Sequence, residues 1–75
     1  MSIDYDTFAV LSGLRMPITD SSRAVVIEKG KLADLVIRGL QLSDADYYGL
    51  FIAYRGGALW KKEMRQIALR PDFPN

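Results

Sequence analysis

The sequence contains neither cysteine nor histidine, and in a chain of only 75 residues this absence limits the available folds. A domain of this size buries a small core, which by itself contributes only ~3–5 kcal/mol to stability. Small domains often add disulfides or a structural zinc ion, and both need cysteine or histidine. We therefore expect one domain, residues 1–75, that is stabilised by forming a homodimer or by binding a partner protein.

The same absence argues against an enzyme. Histidine and cysteine supply most of the nucleophiles, general bases and zinc ligands that work near neutral pH. A serine nucleophile would need a base to activate it, and no histidine is present. Asp44 and Asp46 are the best acidic pair, but capping of a helix explains them better than a bound Mg²⁺ ion. We predict a non-enzymatic protein without a catalytic site, metal, cofactor or small-molecule substrate.

Charge and hydropathy suggest a location but no ligand. No apolar stretch approaches the ~20 residues that span a bilayer, and the N-terminus lacks the pattern of a secretion signal. Together with the lack of cysteine, this predicts a cytoplasmic protein that does not associate with membranes. The net charge of +1 is too small to indicate nucleic-acid binding by itself. The chain is acidic at its start and basic at its end.

The N-terminal segment predicts a helix over about residues 3–12. Ser2 is a suitable N-cap, and Asp4 and Asp6 would lie in the favourable first turn. Gly13 is placed to end the helix. Apolar side chains recur there at helical spacing, namely Tyr5, Phe8 and Leu11.

The next segment predicts a β-hairpin over about residues 23–38. β-Branched residues occupy 25–27 and 36–37, and strands favour such residues. Lys29 and Gly30 lie midway between the two runs, and Gly30 would provide the positive φ of a tight turn. Leucines after residue 31 also recur at helical spacing, so a helix broken at Gly30 is an alternative. That alternative would make the domain all-α.

The C-terminal part predicts two helices, over about residues 44–55 and 58–70. Aromatic and aliphatic residues of the first recur at i, i+3, i+4 and i+7, which is one stripe of a helix. The second is rich in strong helix formers, ends before Pro71, and is expected to bury Trp60. The sequence leaves a β-hairpin over 44–62 open as an alternative. The predicted fold is α+β, in the order helix, hairpin, helix, helix.

One segment, LVIRGLQLSDADYY, resembles the passage from the E strand to the F strand of an immunoglobulin domain. The resemblance implies a small β-rich domain in which Tyr48 is the corner tyrosine. The chain departs from that family at Leu50, which stands where the second half-cystine belongs. The positions that match the family's spacing are Leu35, Ile37, Leu40, Asp44 and Tyr48.

A second segment, IEKGKLADLVI, is similar to a β-strand motif in the accessory sandwich of amidohydrolases. The metal-binding barrel of those enzymes and its histidines have no counterpart in this chain, so no activity is implied. Both resemblances imply β-structure near residues 24–37.

The aromatic residues predict the function that we favour. Tyrosine and tryptophan are enriched at protein interfaces because they combine a large contact area with a polar group. We predict a small binding module that acts through protein–protein contacts made by Tyr47, Tyr48 and Tyr54. An accessory or regulatory protein of a bacterium or phage fits this size.

The alternative is a DNA-binding regulator. Lys61, Lys62 and Arg65 would form a basic flank on the last predicted helix, and such a flank can contact DNA phosphates.

Overall fold

A computed structural model describes residues 3–74, which form a four-stranded antiparallel sheet with two helices packed on one face. The strand order is β2-β1-β3-β4, so β1 and β3 are central. The elements in chain order are β1 Phe8–Arg15, β2 Ala24–Lys31, α1 Leu32–Gln41, β3 Tyr47–Tyr54, β4 Gly57–Trp60 and α2 Lys61–Ala68. The domain is α+β, but the predicted order of elements is wrong, and so are the all-α and immunoglobulin-like alternatives.

The predicted N-terminal helix over 3–12 is replaced by β1. Ala9 and Leu11 are buried under the helices, while Phe8 is exposed on the other side, so burial alternates with a period of two. The strand pairs with β2 on one side and β3 on the other, and these ladders satisfy its backbone groups. Ser2, the expected N-cap, lies outside the described residues.

The predicted hairpin over 23–38 is correct only in its first strand. Gly30 lies within β2 opposite Ala9 and does not have a positive φ, so there is no tight turn at this position. The chain instead enters α1 directly after Lys31, because the leucine spacing places one face of a helix in the core. Both resemblances predicted a strand up to residue 37, and α1 occupies 32–37 instead. The buried positions of α1 are Leu32, Ala33, Leu35, Val36 and Gly39.

The predicted helix over 44–55 is also wrong, and the alternative hairpin over 44–62 is the correct one. Strands β3 and β4 pair around a two-residue turn, Arg55-Gly56, in which Gly56 has a φ of +111°. Gly49 has a φ of +66° and lies at the register shift between β3 and β1. The predicted helix over 58–70 is shortened to α2, because Trp60 ends β4.

The core lies between the sheet and the helices. Strand residues Leu11 and Ile52 and helix residues Leu35 and Met64 are fully buried there. Trp60, which was expected in the core, is 52% exposed. Among the helices of residues 3–74, none has the length and apolar content to cross a membrane.

Candidate functional site

The sheet face that points away from the two helices is the candidate site, and we call it the open face. Buried strand residues such as Ala9, Leu11 and Ile52 face the helices, so the residues between them point the other way. This assignment follows from the pairing register, since directly opposed residues share a face. The open face consists of Phe8, Val10, Ser12, Leu14, Ala24, Val26, Lys29, Lys31, Tyr48, Phe51, Ala53, Ala58 and Trp60.

A central row crosses all four strands of this face. Ser12 on β1 pairs with Val26 on β2 and with Phe51 on β3, and Phe51 pairs with Trp60 on β4. The Phe51 and Trp60 rings are in contact, with centroids 5.3 Å apart and planes tilted by 48°. Because each ring limits the rotamers of the other, this aromatic pair is held in place before any partner binds.

Two further rows flank the central one. Val10 pairs with Lys29 on one side and with Ala53 on the other, and Ala53 pairs with Ala58. The second flanking row consists of Ala24, Leu14 and Tyr48. All three rows are therefore predominantly apolar.

Four of these apolar side chains are highly exposed, whereas Val10, Leu14 and Phe51 are half-buried and Ser12 is buried. Phe8 is 63% exposed, Tyr48 64%, Val26 56% and Trp60 52%. Single exposed apolar residues are normal on a protein surface, but a continuous apolar patch marks an interaction site. An antiparallel sheet with one face in water normally carries polar residues on that face. The open face departs from this pattern in every row.

The few charges on this face are positive and lie along β2. Among the described strand residues, Lys29 and Lys31 are on the open face by register, and no carboxylate shares it. Lys31 lies 4.0 Å from Asp6, which precedes β1. Glu28 points to the helix side, where its carboxylate lies 3.6 Å from the guanidinium of Arg38.

The predicted tyrosines do not lie together. Only Tyr48 is on the open face, whereas Tyr47 and Tyr54 are half-buried against the core. The sequence interpretation missed Phe8, Phe51 and Trp60 as surface residues. No sequence signal separated Phe8 from its neighbours, because Ala9, Val10 and Leu11 are apolar as well.

The three residues of the predicted basic flank do not have the same environment. Lys61 Nζ donates hydrogen bonds to the Leu42 carbonyl and to Asp44 Oδ1, each at 2.8 Å, and its side chain is only 18% exposed. The hydrogen bond and the positive charge of Lys61 lower the pKa of Asp44. Lys61 therefore connects α2 to the loop before β3, whereas Lys62 and Arg65 are exposed on α2.

A second polar cluster connects the two ends of the chain. Tyr5 donates a hydrogen bond to Asp72 Oδ1 at 2.9 Å, and Arg70 Nε donates to the same oxygen at 3.0 Å. The hydrogen bond from Arg70, followed by that from Tyr5, lowers the pKa of Asp72. Burial, followed by the hydrogen bond to Asp72, raises the pKa of Tyr5. Phe73 packs against the Tyr5 ring edge-on, at a centroid distance of 5.4 Å, so the cluster has a structural role.

Comparison with known proteins adds no relative. No protein-family model matches the sequence, and no curated protein or solved structure matches it either. In the described part of the chain, no three aspartate or glutamate residues are grouped as metal ligands would be.

Proposed function

We propose that this chain is a small non-enzymatic binding module that acts through protein–protein contacts made by the open face. One observation carries the proposal: the side chains of Phe8, Val26, Tyr48 and Trp60 are all more than half exposed on one sheet face. Burying the exposed part of one such side chain contributes about 1–2 kcal/mol. Covering all four would therefore contribute roughly 4–8 kcal/mol before the cost of association is subtracted.

The placement of the aromatic residues supports a protein partner. Rigid rings near the centre of a patch, surrounded by smaller residues, are typical of the positions that dominate protein interfaces. Phe51 has this position on the central strand β3, where its ring contacts Trp60 of the edge strand β4, and Ala53 and Ala58 lie in the adjacent row. A module with one such face suits an accessory or regulatory role, because it binds a partner without chemistry of its own.

The basic flank gives weaker support to the DNA-binding alternative. Double-stranded DNA is bound mainly through lysine and arginine contacts to phosphates. Lys61 is already engaged with Leu42 and Asp44, so Lys62 and Arg65 remain from the predicted set. The open face also belongs to a four-stranded sheet, whereas the major groove admits a helix or a two-stranded ribbon.

Site-specific photo-crosslinking in the source organism tests the proposal. A photoreactive phenylalanine analogue replaces Phe8 on the open face in one variant and Leu69 in the control variant. Leu69 is 84% exposed and follows α2, outside the open face. We expect protein adducts from position 8 and few from position 69. The absence of protein adducts at position 8, or equal yields at both positions, would refute the proposal.

A further inference from the structure

We infer that the open face binds the open face of a second copy of this chain, so that two sheets stack in a homodimer. This inference rests on the proposed function, because it specifies the protein partner. The face offers the area, the shape and the charge distribution that such a dimer needs.

The edges of the sheet are less suited to pairing between copies than its face. Strand β4 has only four residues, so its free edge offers few backbone groups. The β2–β1 ladder contains a register shift next to Leu11 and Ser12, and such bulges twist an edge strand away from pairing. Strand β2 also carries Glu28, Lys29 and Lys31, and charges protect edges in the same way.

The area of the open face defines what can cover it. A fully buried aromatic side chain covers about 150–250 Å², so the exposed parts of Phe8, Tyr48 and Trp60 together offer about 350 Å². The aliphatic side chains between them raise this to roughly 600 Å² per copy, or roughly 1,200 Å² for two copies, the lower limit for a stable interface. The occupant must therefore cover the entire face, and a second sheet of equal size does so.

The central row is complementary to itself about a two-fold axis that runs along the strands between β1 and β3. This axis places β1 over β3 of the partner and β2 over β4 of the partner. In the central row, the small Ser12 then lies over the partner's Phe51, and Val26 lies over the partner's Trp60. Stacked sheets interdigitate large and small side chains in this manner, with their strands aligned to within about 30°.

The first flanking row matches in the same way. Val10 lies over the partner's Ala53, and Lys29 lies over the partner's Ala58. The two copies of Lys29 are then at opposite edges of the dimer, where their ammonium groups can reach water. Like charges are therefore kept apart, and the lysine stems can cover apolar surface at the rim.

Sedimentation equilibrium of the full chain tests this inference. The test variant is Ala53→Arg, which introduces a long charged side chain at an exposed position of the open face. The matched control is Gln66→Arg, which introduces the same residue at an exposed position of α2. We expect the wild type and Gln66→Arg to dimerise at micromolar concentration. Ala53→Arg should weaken dimerisation by at least about tenfold while the circular dichroism spectrum remains that of the wild type.

The outcomes distinguish this inference from the proposed function. A wild type that remains monomeric, or an Ala53→Arg variant that dimerises as well as the wild type, overturns the inference. If that monomer still forms protein adducts through position 8, the proposed function stands and the partner is a different protein. A monomer that forms no protein adducts but shifts a DNA duplex at low salt overturns both.

Discussion

Phe51 and Trp60 pair directly across β3 and β4, and their rings touch on the open face at a centroid distance of 5.3 Å. Trp60 is nevertheless 52% exposed, because no residue of the helices lies on that side of the sheet. The contact between the rings therefore makes a rigid apolar surface rather than part of the core.

Trp60→Ala should lower the free energy of unfolding by about 1–2 kcal/mol, less than the ~3–5 kcal/mol expected for a fully buried tryptophan. Met64→Ala, at a fully buried position of α2, should lower it by about 2–5 kcal/mol. Urea denaturation in the Ala53→Arg background measures both without a contribution from the proposed dimer. A larger loss from Trp60→Ala than from Met64→Ala would place Trp60 in the core and contradict the assignment of faces.

Gly49 and Gly30 form a matched pair for testing the backbone. A Cβ atom at either position would meet no atom within 4 Å, but only Gly49 has a positive φ, of +66°. Gly49→Ala should therefore destabilise the domain by about 1–2 kcal/mol. Gly30→Ala should be neutral or stabilising by up to about 1 kcal/mol. Thermal denaturation of both variants measures the difference, and the opposite order would support the hairpin that the sequence suggested at Gly30.

The acid sensitivity of the domain should depend on Asp72. Arg70 and Tyr5 lower the pKa of Asp72 in the folded state below its ordinary value of 3.8. The ionised carboxylate therefore stabilises the fold at pH values above 3.8. This stabilisation is lost as the pH falls through the lower, folded-state pKa. Asp72→Asn should reduce stability near neutral pH and weaken its dependence on pH below about 4. The urea concentration at the unfolding midpoint, measured as a function of pH, tests this prediction. Arg70→Gln should have a similar effect. If both variants keep the pH profile of the wild type, the cluster does not have this role.

Lys61 and Lys62 are neighbours in sequence but should respond differently to substitution. Lys61→Gln removes the charge-assisted hydrogen bond to the Leu42 carbonyl and should lower the free energy of unfolding by about 1–3 kcal/mol. Lys62→Gln, at an exposed position, should change it by less than about 0.5 kcal/mol. Chemical denaturation provides the comparison. Equal effects would mean that Lys61 is only part of a solvated flank.

The sequence predicted the α+β class, a strand near residues 23–28 and a helix within 58–70, but it misassigned β3 for a physical reason. Gly49 inserts one extra residue at the register shift, so Tyr47 and Leu50 face the core although they are three residues apart. Leu50 and Tyr54, which are four residues apart, also face the core. A bulged strand thus reproduces the spacing of a helix, and the periodicity cannot separate the two.

The candidate surface was less predictable than the fold class. Tyr48 was chosen for its residue type alone, since the position of a side chain on one face or the other depends on strand register, which a single sequence specifies weakly when both faces are apolar. Trp60 shows the same difficulty. It fits the apolar stripe of α2 by spacing, yet the helix begins one residue later, and the ring lies on the opposite side of the sheet.

Acrylamide quenching of Trp60 fluorescence shows whether the open face is accessible in the single chain and covered in the proposed dimer. Trp60 is the one tryptophan of the chain, so the signal reports this face alone. We expect efficient quenching in dilute wild-type protein, protection as the concentration rises, and efficient quenching of Ala53→Arg at every concentration. A Trp60 that is shielded even in dilute Ala53→Arg would mean that the open face is covered within one chain, and a Trp60 that is equally accessible at all wild-type concentrations would mean that no dimer forms on this face.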